Sequence, residues 1–405
     1  MPREKFATCG ICPFTMLDAG WLLLLLLPVA AASGWYLRGR VLAPEEKPTT
    51  VHPDYLRGIS YLVDEDADRA IEVFVRLLEV DNETVETHLA LGNLFRKQGE
   101  VDRALRLHQN LVARPNLKPI HRNQARFELA QDYLRAGVLD RAEDLFKELA
   151  EQGMFLERAL SGLVTIHESG RDWDSAIETT RRLETVRGHS LRPVIAQYYC
   201  EMAEQARDRG DGDEARRLAR AALSEFRECV RASIILGHMA MAEEQYDAAI
   251  KDFSRVLKQD IDFVPEILSP LQQCHAARDD LKSFRKLLRD IIRKYPGSAP
   301  QVALADLMVQ GREVDEAIEH LSGFVQDTPN WVGFYHLLKL TAEQSDLPLS
   351  GPMQSLHAAL KQIIDQQPTY LCGHCGFSGS YRHWQCPSCK LWNSIIPVRD
   401  IKPAG

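Results

Sequence analysis

Four cysteines near the carboxyl terminus carry the clearest chemistry in this chain. Cys372 and Cys375 form one C-x-x-C turn, Cys386 and Cys389 a second, and ten residues separate the turns. A single C-x-x-C reads as readily as a redox dithiol, but two close in sequence supply four thiolates for a tetrahedral metal site. An all-thiolate tetrahedron holds zinc or one iron. In such a turn backbone N–H groups point at the sulfurs and stabilise their charge. Gly376 permits a left-handed backbone after the first turn, and Pro387 stiffens the second. His374 and His383 stand nearby and are expected to be bystanders. The segment from Tyr370 to Pro397 is too short to fold by burial alone, so a bound ion is the expected staple. Tyr381, Trp384 and Trp392 are expected to form its small apolar core.

The elements that position this cluster are helical. Ala70, Ala104, Ala142, Ala176, Ala215, Ala249, Ser283 and Ala317 follow one another at intervals of 34, 38, 34, 39, 34, 34 and 34 residues. Twelve residues before each stands Gly58, Gly92, Ala130, Val164, Ala203, Gly237, Leu271 or Ala305, and a large apolar residue often follows four later (Phe74, Phe146, Phe253, Leu287, Leu321). A 34-residue period of two helices is the tetratricopeptide arrangement. Small residues on facing helices let the two backbones nest, and the Phe or Leu one turn on fills the gap. The fold class expected is therefore all-α, a helix-pair solenoid. Such arrays bind other proteins and seldom do chemistry.

The long intervals place extra residues near 117–122 and 188–193, where Pro119 and Pro193 mark loops or lengthened helix starts. Beyond Ala317 the pattern decays, and helices at about 331–345 and 353–366 are expected to cap the stack. Cys200, Cys229 and Cys274 fall in helical segments and read as small buried hydrophobes. No nucleophile elbow, phosphate loop or H-E-x-x-H stands in the sequence, so no enzyme is expected. A net charge of −8 argues against nucleic-acid binding.

At the other end, residues 19–37 carry no charge. As a helix this run reaches about 28 Å, enough to cross a bilayer core. Trp21, Trp35 and Tyr36 sit at its ends, and Arg38 and Arg40 follow, which puts the bulk of the chain on the cytoplasmic side. Arginines after the apolar run, and cysteines in metal-site spacing, favour an uncleaved anchor over a signal peptide despite Ala30-Ala31-Ala32. Met16 is a plausible start, with residues 1–15 a possible extension whose Cys9 and Cys12 bind nothing. The division expected is an anchor at 17–37, a linker at 38–50, the array at 51–367 and a metal-binding domain at 368–400.

The two metal turns, C-x-x-C-G and C-P-x-C, resemble rubredoxin knuckles, although the gap between them is shorter than in electron-transfer rubredoxins. Anchor, array and metal module together resemble the lipopolysaccharide assembly protein B family of Gram-negative bacteria. The matching stretches are LLLLLPVAAASGWYLRGR, the repeats to about residue 330, and YLCGHCGFSGSYRHWQCPSCKLWNSIIPVR. The resemblance implies a cytoplasm-facing inner-membrane adaptor that restrains lipopolysaccharide synthesis. Its implied partners are a membrane-bound AAA+ zinc protease, the deacetylase that commits precursor to lipid A, and other lipopolysaccharide synthesis or export proteins. It implies iron on Cys372, Cys375, Cys386 and Cys389, with zinc able to substitute. Two other readings remain: a scaffold without a proteolytic outcome, and an iron redox protein.

Overall fold

The computed structural model describes residues 85–115, 117–344 and 351–400, with isolated positions at 28, 31–33, 57, 60, 61 and 73. Residues 1–15, nearly all of the expected anchor, the linker at 38–50 and the first repeat with Gly58, Ala70 and Phe74 lie outside the described residues. Among the described residues, no helix is long and apolar enough to cross a membrane. Helix α1 (Val85–Lys97) belongs to a first unit, Met1–Gln98, and buries Leu89, Leu91 and Phe95.

The second unit, Gly99–Gly405, begins with α2 (Val101–Val112) and continues as helix pairs: α3 (Pro119–Ala136) with α4 (Leu139–Glu151), α5 (Leu156–Gly170) with α6 (Trp173–Arg187), and α7 (Arg192–Asp208) with α8 (Gly212–Glu225). Next come α9 (Val230–Ala242) with α10 (Tyr246–Gln259), then α11 (Val264–Ala277) with α12 (Leu281–Ile292). The stack ends with α13 (Ser298–Gln310), α14 (Val314–Asp327), α15 (Trp331–Gln344) and α16 (Gly351–Asp365). Consecutive helices pack on one another, and first helices of neighbouring pairs also touch. This is the expected tetratricopeptide array.

One turn geometry recurs. Gly137, Arg171, Gly210, Glu244, Asp279 and Arg312 all have positive φ, between 53° and 85°. In each case the next residue donates its N–H to a carbonyl five residues back, as Asp172 does to His167 at 3.0 Å and Gln245 to Ala240 at 2.8 Å. A left-handed residue closing that bond ends the first helix and aims the chain straight into the second. Asp172, Asp211 and Asp280 then cap the second helix, accepting from the N–H of Ser175, Glu214 and Ser283 at 3.0–3.2 Å.

Five residues past each turn lies the residue that nests against the partner. Ala142, Ala176, Ala215, Ala249 and Ala317 are fully buried there. The pair α11–α12 departs from the expected register. Its turn residue is Asp279, so the nesting position is Phe284, which is fully buried, while Ser283 is exposed. The filler one turn on is likewise the buried Leu288, not the half-buried Leu287, whereas Leu271 on the first helix is fully buried, as expected. The turn-to-turn intervals are 35 and 33 residues here (Glu244 to Asp279 to Arg312), which the sequence averages into two repeats of 34.

Both long spacers lead into lengthened helices. Pro119 and Pro193 occupy the first turns of α3 and α7, of 18 and 17 residues, where a missing N–H costs nothing. Two glycines mark close approaches between consecutive helices. A Cβ on Gly162 would lie 2.6 Å from the Phe146 ring, and one on Gly237 2.6 Å from Phe253.

The register yields two stability tests. Gly237→Val should destabilise by about 1–3 kcal/mol, because fully buried Phe253 has nowhere to move. Glu244→Gly should stabilise by about 1 kcal/mol through relief of the left-handed backbone. Urea unfolding midpoints read both signs.

Candidate metal centre and its seat on the array

After α16 the chain forms a three-stranded antiparallel sheet in the order β2-β1-β3: β1 (Tyr370–Cys372), β2 (Ser378–Gly379) and β3 (Ile395–Pro397). Tyr370 faces Gly379 on one side and Pro397 on the other. Two like turns carry the cysteines. Gly376 N–H donates to Cys372 O at 3.1 Å and Cys372 N–H to Phe377 O at 2.7 Å; in the second, Lys390 donates to Cys386 O and Cys386 to Leu391 O, both at 2.9 Å. Gly376 and Lys390 each take positive φ, 76° and 60°, immediately after the second cysteine of the turn.

The four sulfurs converge within 4.8 Å of one another. Cys372 Sγ lies 3.9 Å from Cys389 Sγ, and Cys375 Sγ 3.6 Å from Cys386 Sγ. A thiolate tetrahedron around zinc has metal–sulfur bonds of about 2.3 Å and hence edges of about 3.8 Å. The donors therefore fit one ion. The Ser394 hydroxyl, 3.4 Å away, and the N–H groups of Cys375 and His374 bring the Cys372 thiol down to about 6. The Phe377 N–H lowers that of Cys375. Both ease the proton loss that ligation requires. His374 and His383 stay outside the cluster; the ring of His383 meets Phe377 edge-on instead.

The module's apolar core is not the expected aromatic trio. Cys372, Cys386 and Ile395 are its buried members, with Tyr370, Phe377 and Cys389 packed around them. Tyr381 is 79% exposed. Trp384 and Trp392 face outward and bind the module to the helical array, on the face built from first helices.

Two carboxylates hold that seat. Glu168 on α5 accepts from Tyr198 OH at 2.6 Å, Trp392 Nε1 at 2.7 Å and Gln385 Nε2 at 3.2 Å. Trp173 stacks on Tyr198, and Trp392 meets both rings edge-on. Burial, then the Glu168 charge, pushes the Tyr198 phenol upward, so it remains a donor at any physiological pH. Glu266 on α11 accepts from Tyr370 OH and pairs with Arg382. Trp384 stacks on Phe263 at 5.6 Å and 11°, flanked by the guanidinium groups of Arg231 and Arg382. Burial works against the charge of Arg231, but Glu204 and Glu201 outweigh it and the net shift is upward. Further along, Arg399 pairs with Asp262, and Asp400 accepts from Ser298 N–H at 2.9 Å.

Sequence reasoning found the four cysteines but not their seat. One signal was available: Arg231 is the single charged residue of α9, VRASIILGHMAMA, otherwise built to be buried. Glu168, Tyr198 and Glu266 carried no comparable mark.

Helix pairs joined by left-handed turns, with a two-turn four-thiolate module, define a tetratricopeptide scaffold carrying a rubredoxin-like metal-binding module. Comparison with known families agrees: the rubredoxin metal binding domain matches residues 370–397, and tetratricopeptide repeats match 87–119 and 200–262. Lipopolysaccharide assembly protein B of Escherichia coli (strain K12) is 34% identical over 388 residues, spanning 94% of this chain and 98% of that one. The protein of the same name from Haemophilus influenzae is 33% identical over 391 residues, with the same shares. The chain belongs to the lipopolysaccharide assembly protein B family. Among solved structures, MamA aligns at TM-score 0.30 and 20% identity over 45% of this chain and 95% of that one. The Cut9-Hcn1 assembly aligns at 0.28 and 14% over 74% and 57%.

Glu168→Ala leaves three donors unpaired in the seam and should cost about 1–3 kcal/mol, loosening the module from the array. Faster limited proteolysis after residue 366, with helical circular dichroism unchanged, is the expected result. Chelation of the metal should unfold the module while the array persists. Cleavage confined to 366–400 would report this.

Proposed function

We propose that this protein is a cytoplasm-facing inner-membrane adaptor that lowers lipopolysaccharide synthesis. In this reading it promotes degradation of the lipid A-committing deacetylase by a membrane-bound AAA+ protease. The observation that carries it is the end-to-end likeness to lipopolysaccharide assembly protein B over 94% of the chain. The protein works by binding rather than by catalysis. The uncharged run at 19–37 anchors it, and the tether raises the effective concentration of the array beside a membrane-bound protease. The array gathers the client and other lipopolysaccharide synthesis or export proteins.

Cys372, Cys375, Cys386 and Cys389 bind one iron ion, and zinc can replace it with the same geometry. Bound metal supplies a crosslink between the two cysteine turns. The residues around it do the rest: Ser394 and the turn N–H groups hold the thiolates, and Trp384 and Trp392 fasten the module to the first-helix face. The metal is thereby a structural element of the partner-binding surface.

The deacetylase half-life should lengthen several-fold in cells whose only copy is Cys372→Ser/Cys375→Ser, or a form lacking residues 1–37. An unchanged half-life in both would leave the scaffold reading in place of the adaptor.

A further inference from the structure

A second pair of cysteines lies apart from the metal centre. Cys200 sits on α7 and Cys229 directly before α9, both buried, with their sulfurs 3.7 Å apart. A disulfide needs about 2.05 Å, so closure asks for an approach of less than 2 Å. The two positions are unlike. Cys229 is the residue that opens α9, and its thiol is drawn downward by Cys200 first and then by the N–H groups of Ala232 and Arg231, as a helix start favours for a thiolate. Gln197 Nε2 also reaches that sulfur, at 3.7 Å. Cys200 is wholly enclosed, and burial pushes its thiol up.

Cys229 also borders a space. It lines a cavity of about 230 Å³ at the seam, walled by Pro193, Phe226 and Phe263 of the array and by Trp384 and Asn393 of the metal module. A water molecule fills about 30 Å³, so a small neutral solute fits. Cys274, the other buried cysteine of the array, has burial as the sole cause of its raised thiol and does not border this cavity.

We propose that Cys200 and Cys229 form a peroxide-sensitive dithiol, in which Cys229 is the sulfur attacked and Cys200 the sulfur that closes an internal disulfide. The Cys229 thiolate displaces the distal oxygen of hydrogen peroxide, giving a sulfenic acid and, with one proton taken up, water. The Cys200 thiol then attacks that sulfur and releases a second water, its own proton going to the departing hydroxide. Two thiols are oxidised to one disulfide and one peroxide is reduced to two waters. A dithiol reductant reverses the change.

The test is mass spectrometry of the metal-loaded full chain after brief exposure to dilute hydrogen peroxide and denaturing alkylation. Arg217, Arg220 and Arg227 lie between the two cysteines, so trypsin places them on separate peptides. The expected result is a Cys200–Cys229 cross-link, reversed by dithiothreitol, forming at least tenfold faster than any oxidation of Cys274. In Cys200→Ser, dimedone should label Cys229; in Cys229→Ser, Cys200 should stay unlabelled. Oxidation of Cys274 at an equal rate, or no cross-link while metal-centre cysteines oxidise, overturns the proposal. Labelling in the reverse order overturns the assignment of roles. If either variant misfolds, the wild-type rates decide alone.

Discussion

Close approach of helix backbones governs this molecule. Second helices place alanine against their partners, and Ala142, Ala176, Ala215, Ala249 and Ala317 leave no room for water. The left-handed turn five residues earlier fixes the rotation at which each second helix departs, so the same face of every first helix falls on the same side of the stack. That regularity aligns Glu168, Tyr198, Arg231 and Glu266, from four successive first helices, into one surface. Interiors pack at crystalline density, so a slip of one residue in a turn would rotate a whole first helix and scatter those groups.

The module that rests on this surface is too small to stand on burial. Its core has three buried side chains, two of them metal-ligand candidates. Its two tryptophans are spent outward, against Trp173, Tyr198 and Phe263. Glu168 accepts from array and module alike, and Glu266 from the module alone, so carboxylates of the array complete the module's hydrogen bonding. Removal of either leaves desolvated groups without partners, which is the costly state for polar atoms away from water.

How much of this the sequence disclosed follows from how each feature is encoded. The 34-residue period and the paired C-x-x-C turns are local patterns, and both correspond to what forms. The error at Ser283 and Leu287 arose because two unequal intervals, 35 and 33, preserve the average; only the turn residue Asp279, whose left-handed backbone no side chain advertises, reveals the shift. Trp384 and Trp392 misled in another way. In a short segment tryptophan is read as core, yet here the apolar partner surface lies more than a hundred residues away in sequence. Cys229 read as helical and alone because its neighbour Cys200 comes from the preceding pair. Contacts between repeats carry no periodic mark.

Synthesis order gives the seam a history. Phe263 and Glu266 are made roughly a hundred residues before the module that covers them, and Glu168 about two hundred before its partner Trp392. Domains fold as they emerge, at roughly 5–20 residues per second, so the array stands complete from α5 to α11 for several seconds with Trp173, Tyr198 and Phe263 facing solvent. Every molecule thus begins with its first-helix face bare, and covers it only once the two cysteine turns have emerged.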